Sequence, residues 1–205
     1  MGAGKDSCPK SYDIEPTCFE VNPPIAINHA KSICEQMGMT SSSIRVAMGL
    51  MIPNAKNPSK ILYGLRNPQF HTEYKDTWGL PSVGMSQNDF LNLDTDPNSI
   101  QAVMEKLAQN KLNGADLTPE RLIGWTGRLR SPKVDPQFTE PYYLIMVDLI
   151  TNPVDPSKIP MSTPAYSNLL WLTPDEHAEI VTASPNKACG ACSQLAFAAA
   201  NQGKL

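Results

Sequence analysis

Residues 76–85 read DTWGLPSVGM and residues 99–112 read SIQAVMEKLAQNKL, and the way these two stretches are joined decides the fold. In the first, Trp78, Gly79, Leu80 and Pro81 follow one another directly. Glycine and proline interrupt regular structure there, so a tight apolar turn is expected. In the second, Ile100, Val103, Met104 and Leu107 stand at i, i+3, i+4 and i+7, the spacing of one helical face. Asn98 or Ser99 is the expected cap, and Gly114 the expected stop. Between them, DFLNLDTDPN (residues 89–98) reads as a polar loop carrying Asp89, Asp94 and Asp96.

Upstream, IRVAMGLMIP (44–53) alternates apolar and small residues, Asn54-Ala55-Lys56-Asn57-Pro58 breaks the pattern, and KILYGLRN (60–67) follows. Two strands joined as a hairpin are expected. Downstream, residues 122–129 and 142–150 read as strands joined by a polar, proline-containing stretch. NLLWLT (168–173) is a further short strand, and Thr173 is the expected cap of a helix opening at Pro174 with Asp175 and Glu176. At the front, residues 1–24 read as an extended arm ending in Asn22-Pro23-Pro24. A helix over 25–37 with Ile25, His29, Ile33, Gln36 and Met37 on one face then stops at Gly38. The alanine-rich residues 187–201 predict a last helix. The expected division is an arm and helix over 1–40 and a main domain over 41–205.

With 41% apolar and 18% charged residues in 205, the chain is expected to fold as one domain with a substantial core. A net charge of -3 excludes the broad basic footprint of a duplex nucleic-acid binder, though not a local basic patch. No apolar run approaches the roughly 18 residues of a membrane span, and the first residues lack an apolar signal core, so a cytoplasmic location is expected. Cys8, Cys18, Cys34, Cys189 and Cys192 make an odd count, read as reduced thiols. Cys189 and Cys192 have C-x-x-C spacing, but no second pair or nearby histidine pair completes a zinc site.

Three local features, in this order, resemble the Nudix hydrolase family. They are Leu62-Tyr63-Gly64-Leu65-Arg66, Trp78-Gly79-Leu80-Pro81, and Leu170-Trp171-Leu172-Thr173-Pro174-Asp175-Glu176. The resemblance covers residues 44–182 and implies an α/β (α+β) fold, a mixed β-sheet sandwiched between helices, here with an extra N-terminal arm and helix. The family signature, G-x5-E-x7-R-E-U-x-E-E-x-G-U, places glutamates on one helical face to hold magnesium against a diphosphate. Aligned with it, Glu105-Lys106-Leu107-Ala108-Gln109-Asn110 puts Lys106, Gln109 and Asn110 where the glutamates belong. A register shift of one places Glu105 first but leaves Ala108 and Gln109 behind it. The resemblance thus implies a degenerate box and no metal cofactor. Magnesium returns only if Glu105 joins Asp94 and Asp96 in an irregular site.

Arg66 is either a phosphate ligand or a solvated loop arginine, and Trp78 either a base-stacking or a core residue. Lys106 is either a fixed positive charge replacing the metal or a surface lysine. Arg130 is a further candidate for ligand binding. His29, His71 and His177 stand far apart, with His71 the candidate for a catalytic role, while Glu176 and Glu179 lie where relatives of this fold hold a general base. Three functions are therefore weighed. The first is a domain binding a nucleotide-like or RNA-like ligand, or a protein partner, without ordinary pyrophosphohydrolase activity. The second is an active hydrolase of nucleoside diphosphate-linked substrates. The third is an assembly protein whose arm and last helix build a homodimer.

Overall fold

The computed structural model describes residues 17–183 apart from 72, 94 and 134–137. The arm before Thr17 and the helix expected over 187–201, with Cys8, Cys189 and Cys192, lie outside the described residues, as does Asp94.

Strands β2 (Ile44–Met51) and β8 (Tyr142–Thr151) run parallel at the centre of a five-stranded sheet ordered β1-β7-β8-β2-β6. Here β1 is Thr17–Cys18, β6 is Ser82–Met85 and β7 is Pro119–Arg130. All ten residues of β8 are buried, because both faces of the sheet are covered. Tyr143, Ile145, Val147 and Leu149 face one cluster, together with Ala26, Ile27, Ala30, Ile33 and Cys34 of α1 (Pro23–Gln36). Tyr142, Leu144, Met146 and Ile150 face a second cluster. The alternation follows from the two-residue period of a strand.

A second sheet closes over that second cluster. Its central strand β4 (Asn57–Arg66) pairs with β3 (Pro53–Asn54), β5 (Trp78–Gly79) and β9 (Tyr166–Leu172), all antiparallel. Ile61 and Tyr63 of β4 and Trp78 of β5 pack into the cluster. Trp78 is therefore a core residue. Helix α4 (Pro174–Ala183) packs on β4 and β9, and His177 stacks on Tyr63 with ring centroids 4.0 Å apart.

Several expectations hold and several shift. The helix over the first prolines exists, but Pro23 opens it behind the Asn22 cap, so the arm ends earlier than Pro24. Its buried face is Ala26, Ile27, Ala30, Ile33 and Cys34, whereas Ile25 and Met37 are 60% and 57% exposed. Small alanines let the helix lie close to the sheet, and this rotates the stripe away from the larger residues. The hairpin is also displaced. Strand β2 pairs with β8 and β6 in one sheet, and the hairpin partner of β4 is β3 in the other. The chain switches sheets at Ile52, whose carbonyl still accepts from Leu62 N at 3.0 Å.

The expected polar loop after β6 contains a short helix, α2 (Gln87–Leu91). Ser86 and Asp89 form a reciprocal capping box there, which uses Asp89 for local structure. Helix α3 (Pro97–Lys111) is capped by Asp96, not by Asn98 or Ser99: the Asp96 carboxylate accepts from Asn98 N at 3.0 Å, and proline takes the first helical position. Gly114 follows with φ +75°, where glycine costs least. Thr173 and Glu176 cap α4 reciprocally, Thr173 N donating to Glu176 Oε2 at 2.7 Å and Glu176 N to Thr173 Oγ1 at 3.2 Å.

The edge strand β1 lies so close to β7 that a Cβ on Gly124 would run into the carbonyl oxygen of Cys18 and sit 3.0 Å from the Phe19 Cα. Backbone cannot swing aside as a side chain can. Gly124→Ala is expected to cost about 1–3 kcal/mol by overpacking. Gly84→Ala meets only the Val46 carbonyl oxygen at 4.0 Å and should stay close to the parent. Urea unfolding midpoints of the two variants test the contrast, and equal midpoints would refute this account of β1.

Candidate functional site

Where β2, β6, β7 and β8 meet the end of β4 and the last turn of α3, the surface opens into a cleft of about 290 Å³. Tyr142, Leu144 and Met146 of β8 and Ala47 of β2 form its floor, on the sheet face that also carries Arg45 and Arg130. Arg66, His71, Glu73 and Tyr74 come from the end of β4 and the loop after it, Ser82 and Gly84 from β6, and Lys111 from α3. Among the described lining residues, Arg45, Arg66, Lys111 and Arg130 are cationic at neutral pH and only Glu73 is anionic.

Two of these cations converge on one residue. Arg66 Nη2 donates to Ser82 Oγ at 2.8 Å, and Lys111 Nζ donates to the Ser82 carbonyl oxygen at 2.6 Å. Burial first, and the neighbouring Arg66 second, pull the Lys111 ammonium from its ordinary value of 10.5 down to about 8. A helix C-terminus favours a cation, but by only about 0.3–1 kcal/mol, and a shift of this size outweighs it several-fold. His71 is neutral for related reasons: burial, then Arg66 and Lys111, lower it from 6.5 to about 4. Its Nε2 lies 3.0 Å from the Ala165 carbonyl oxygen, which places the ring proton on Nε2 and leaves Nδ1 an acceptor.

The rest of the lining is aromatic and partly self-neutralised, and it adjoins the cations, Arg66 lying 5.3 Å from the Tyr74 ring. Arg45 pairs with Glu73 at 3.3 Å and Glu140 at 2.7 Å and lies 3.9 Å over the Tyr142 ring. Tyr142 OH donates to Glu73 Oε2 at 2.8 Å, and burial, followed by Tyr74, keeps this phenol neutral. Arg130 Nε donates to Tyr74 OH at 2.8 Å. Tyr74 takes a left-handed backbone (φ 57°), held by Thr77 Oγ1 donating to its carbonyl oxygen at 2.6 Å.

The residues singled out in the sequence divide cleanly. Arg66 and Arg130 line the cleft and are buried, so Arg66 is not a solvated loop arginine, and His71 lines it too. Lys106, with Glu105, Gln109 and Asn110, is exposed and outside the lining. Asp96 caps the start of α3, and Glu105 stands nine residues on, roughly 13 Å along the axis at 1.5 Å per residue, so the two are not brought together. Glu176 caps α4 and pairs with Lys60 at 3.0 Å, and Glu179 is exposed. His29 is half-buried, its ring centroid 6.1 Å from that of Trp125. Arg45, Glu73, Tyr74, Tyr142 and Lys111 line the cleft without having been singled out in the sequence, and Lys111 is the one with a local signal. Its signal was present, since it stands four after Leu107 on the apolar stripe, where a lysine has no packing reason to be.

The protonation states carry a stability signature. Lys111 has a lower pKa folded than unfolded, so its penalty acts in full below about pH 8 and vanishes as pH rises through 10.5. Lys111→Met is expected to stabilise the ligand-free chain at pH 7 by about 1–2 kcal/mol after allowance for solvent screening, and by little above pH 10.5. His71 and His177 both fall to about 4, so the fold should lose stability as pH drops from 6.5 through 4, when protons enter the unfolded chain first. Urea melts across this range read both effects. Equal stability of parent and Lys111→Met at pH 7 would refute the burial cost.

No protein-family model and no curated protein sequence matches this chain. Solved structures do match it. A MutT protein from Methanosarcina mazei is similar over 79% of this chain and 96% of its own, at 12% identity and a TM-score of 0.54. A NUDIX hydrolase from Nitrosomonas europaea is similar over 78% and 90% at 12% identity, TM-score 0.47. An Ap4A hydrolase from C. elegans is similar over 78% and 98% at 16% identity, TM-score 0.44. The M. mazei likeness, agreeing with the sheet order and helix placement above, establishes the fold. At such identity it extends no further.

Proposed function

Starting from the Nudix fold of this chain, we propose that it binds a phosphate-bearing, nucleotide-like ligand in the cleft with side-chain cations in place of a metal ion, and is not an ordinary magnesium-dependent pyrophosphohydrolase. The observation that carries this reading is the meeting of Arg66 and Lys111 on Ser82, in a cleft that Arg130 also lines. Arg66 disfavours the charged form of Lys111, and an anion arriving beside the ammonium favours it. Phosphate oxygens accept the donors of guanidinium and ammonium groups in charge-assisted hydrogen bonds. Tyr74 and Phe70 offer ring surface to the apolar part of a ligand.

Magnesium is the ion that the fold family implies, and the donor set on α3 does not fit it. The outward face offers one carboxylate, Glu105, whose Oε1 accepts from Gln101 Nε2 at 3.0 Å, beside Lys106 and the amides Gln109 and Asn110. A hard dication needs several anionic or carbonyl oxygens together. Among the described residues, no three of His, Cys, Asp and Glu form a set able to hold a metal ion. The cleft volume lies at the small end of ligand sites, which favours a small molecule over an RNA strand. Among the described residues, no helix is long and apolar enough to cross a membrane.

Calorimetric titration with inorganic pyrophosphate, ADP-ribose and nucleoside triphosphates tests the reading. Binding is expected to be the same in EDTA as in magnesium and to weaken roughly 10–100-fold in Arg66→Ala, the worth of a charge-assisted hydrogen bond. Affinity should be level below about pH 8 and fall above it, as the free chain's Lys111 loses its proton. Magnesium-dependent phosphate release that disappears in Glu105→Gln would overturn the proposal.

A further inference from the structure

We propose that Lys111 is a site of reversible imine formation, its Nζ condensing in the cleft with a small aldehyde or ketone that carries a phosphate group. This rests on the reading of the cleft as an anion site and names a chemical class of ligand within it.

The geometry comes first. Lys111 is the last residue of α3, and its carbonyl oxygen accepts from Thr163 Oγ1 at 2.8 Å, which fixes the end of the helix. From there the side chain reaches the cleft and its Nζ rests on the Ser82 carbonyl oxygen, on the same residue whose hydroxyl receives Arg66. An amine is nucleophilic only as the free base, and a lysine gains that form when it is partly desolvated beside another cation. Both conditions are met here, and the value of about 8 leaves roughly a quarter of the amine free at pH 7.5, against about 0.1% for an ordinary lysine. Arg66 thus favours the free amine, and Arg130 can hold the phosphate that brings a carbonyl carbon to Nζ.

The step balances without a redox partner. The Nζ lone pair adds to the carbonyl carbon and one N–H proton passes to the former carbonyl oxygen, giving a carbinolamine; the second N–H proton then joins the same oxygen, which leaves as water as the C=N bond forms. Hydrolysis runs the same path backwards. The Ser82 carbonyl is a pure acceptor, able to accept a hydrogen bond from the N–H that the carbinolamine retains.

Pyridoxal 5′-phosphate is a suitable probe. The full-length chain is incubated with it at pH 7.5, reduced with borohydride to trap any imine, and peptide-mapped by mass spectrometry. Lys111 is expected to be labelled at least about tenfold faster than the exposed Lys31, Lys56, Lys75, Lys106, Lys133 and Lys158, and pyridoxal without its phosphate to label it roughly tenfold less. Inorganic pyrophosphate should protect it, and Lys111→Arg should remove that adduct alone. Mapping on the parent chain identifies the site whether or not the variant folds. If pyrophosphate binds by calorimetry but Lys111 reacts no faster than the exposed lysines, the imine proposal fails and the anion site stands. If neither is seen, both fall.

Discussion

The parallel pairing of β2 and β8, unbroken from Ile44 opposite Tyr143 to Met51 opposite Ile150, sets the geometry on which the rest of the chain depends. Parallel strands need a crossover, and here the intervening chain runs through β3, β4 and β5 of the second sheet, then β6, α2, α3 and β7, before it returns. Because strand residues alternate, one register decides which side chains meet α1 and which meet the second sheet. It also puts Arg45 and Tyr142 next to each other at the cleft end, where the guanidinium lies over the ring. A slip of one residue in β8 would turn Tyr142 into the α1 core and leave Arg45 on the cleft face.

Around that frame the chain carries an electrostatic cost at the cleft. Burying Lys111 beside Arg66 opposes folding, and no apolar contact requires a cation at that point of the stripe. His71 meets the same field and avoids it by staying neutral. Elsewhere in the lining the opposite solution holds, with Arg45 compensated by Glu73 and Glu140. The asymmetry gives the cleft a neutralised aromatic part and a cationic one, an arrangement suited to a ligand with an apolar end and an anionic end.

Much of the frame was legible in the residues. The alternation of β2, the apolar run of β8, the stripe of α3 and the Thr173 cap of α4 are local signals, and each element lies where its signal placed it. The α1 stripe was read through Ile25, Ile33 and Met37, but the buried face is rotated to Ala26, Ile27, Ala30, Ile33 and Cys34. The aspartates of the segment before α3 looked like ligands in sequence, yet Asp89 and Asp96 satisfy helix N-termini, a use that competes with any other for the same carboxylate oxygens.

The amino-acid order by itself determined the longer strands and helices and the presence of Lys106, Gln109 and Asn110 on one face of α3, whereas Trp78 and Gly79, read as a turn, form the strand β5, because period, caps and charge type are properties of neighbours in the chain and strand pairing is not. Only the tertiary structure decided that the cations of consequence are Arg66, Lys111 and Arg130, not Lys106. Those three lie on different elements and are joined through Ser82 and Tyr74, residues that look unremarked in sequence. Coulomb and hydrogen-bond energies act through space over a few ångströms, so a site assembled from the ends of four elements exists only once the sheet register has brought those ends together.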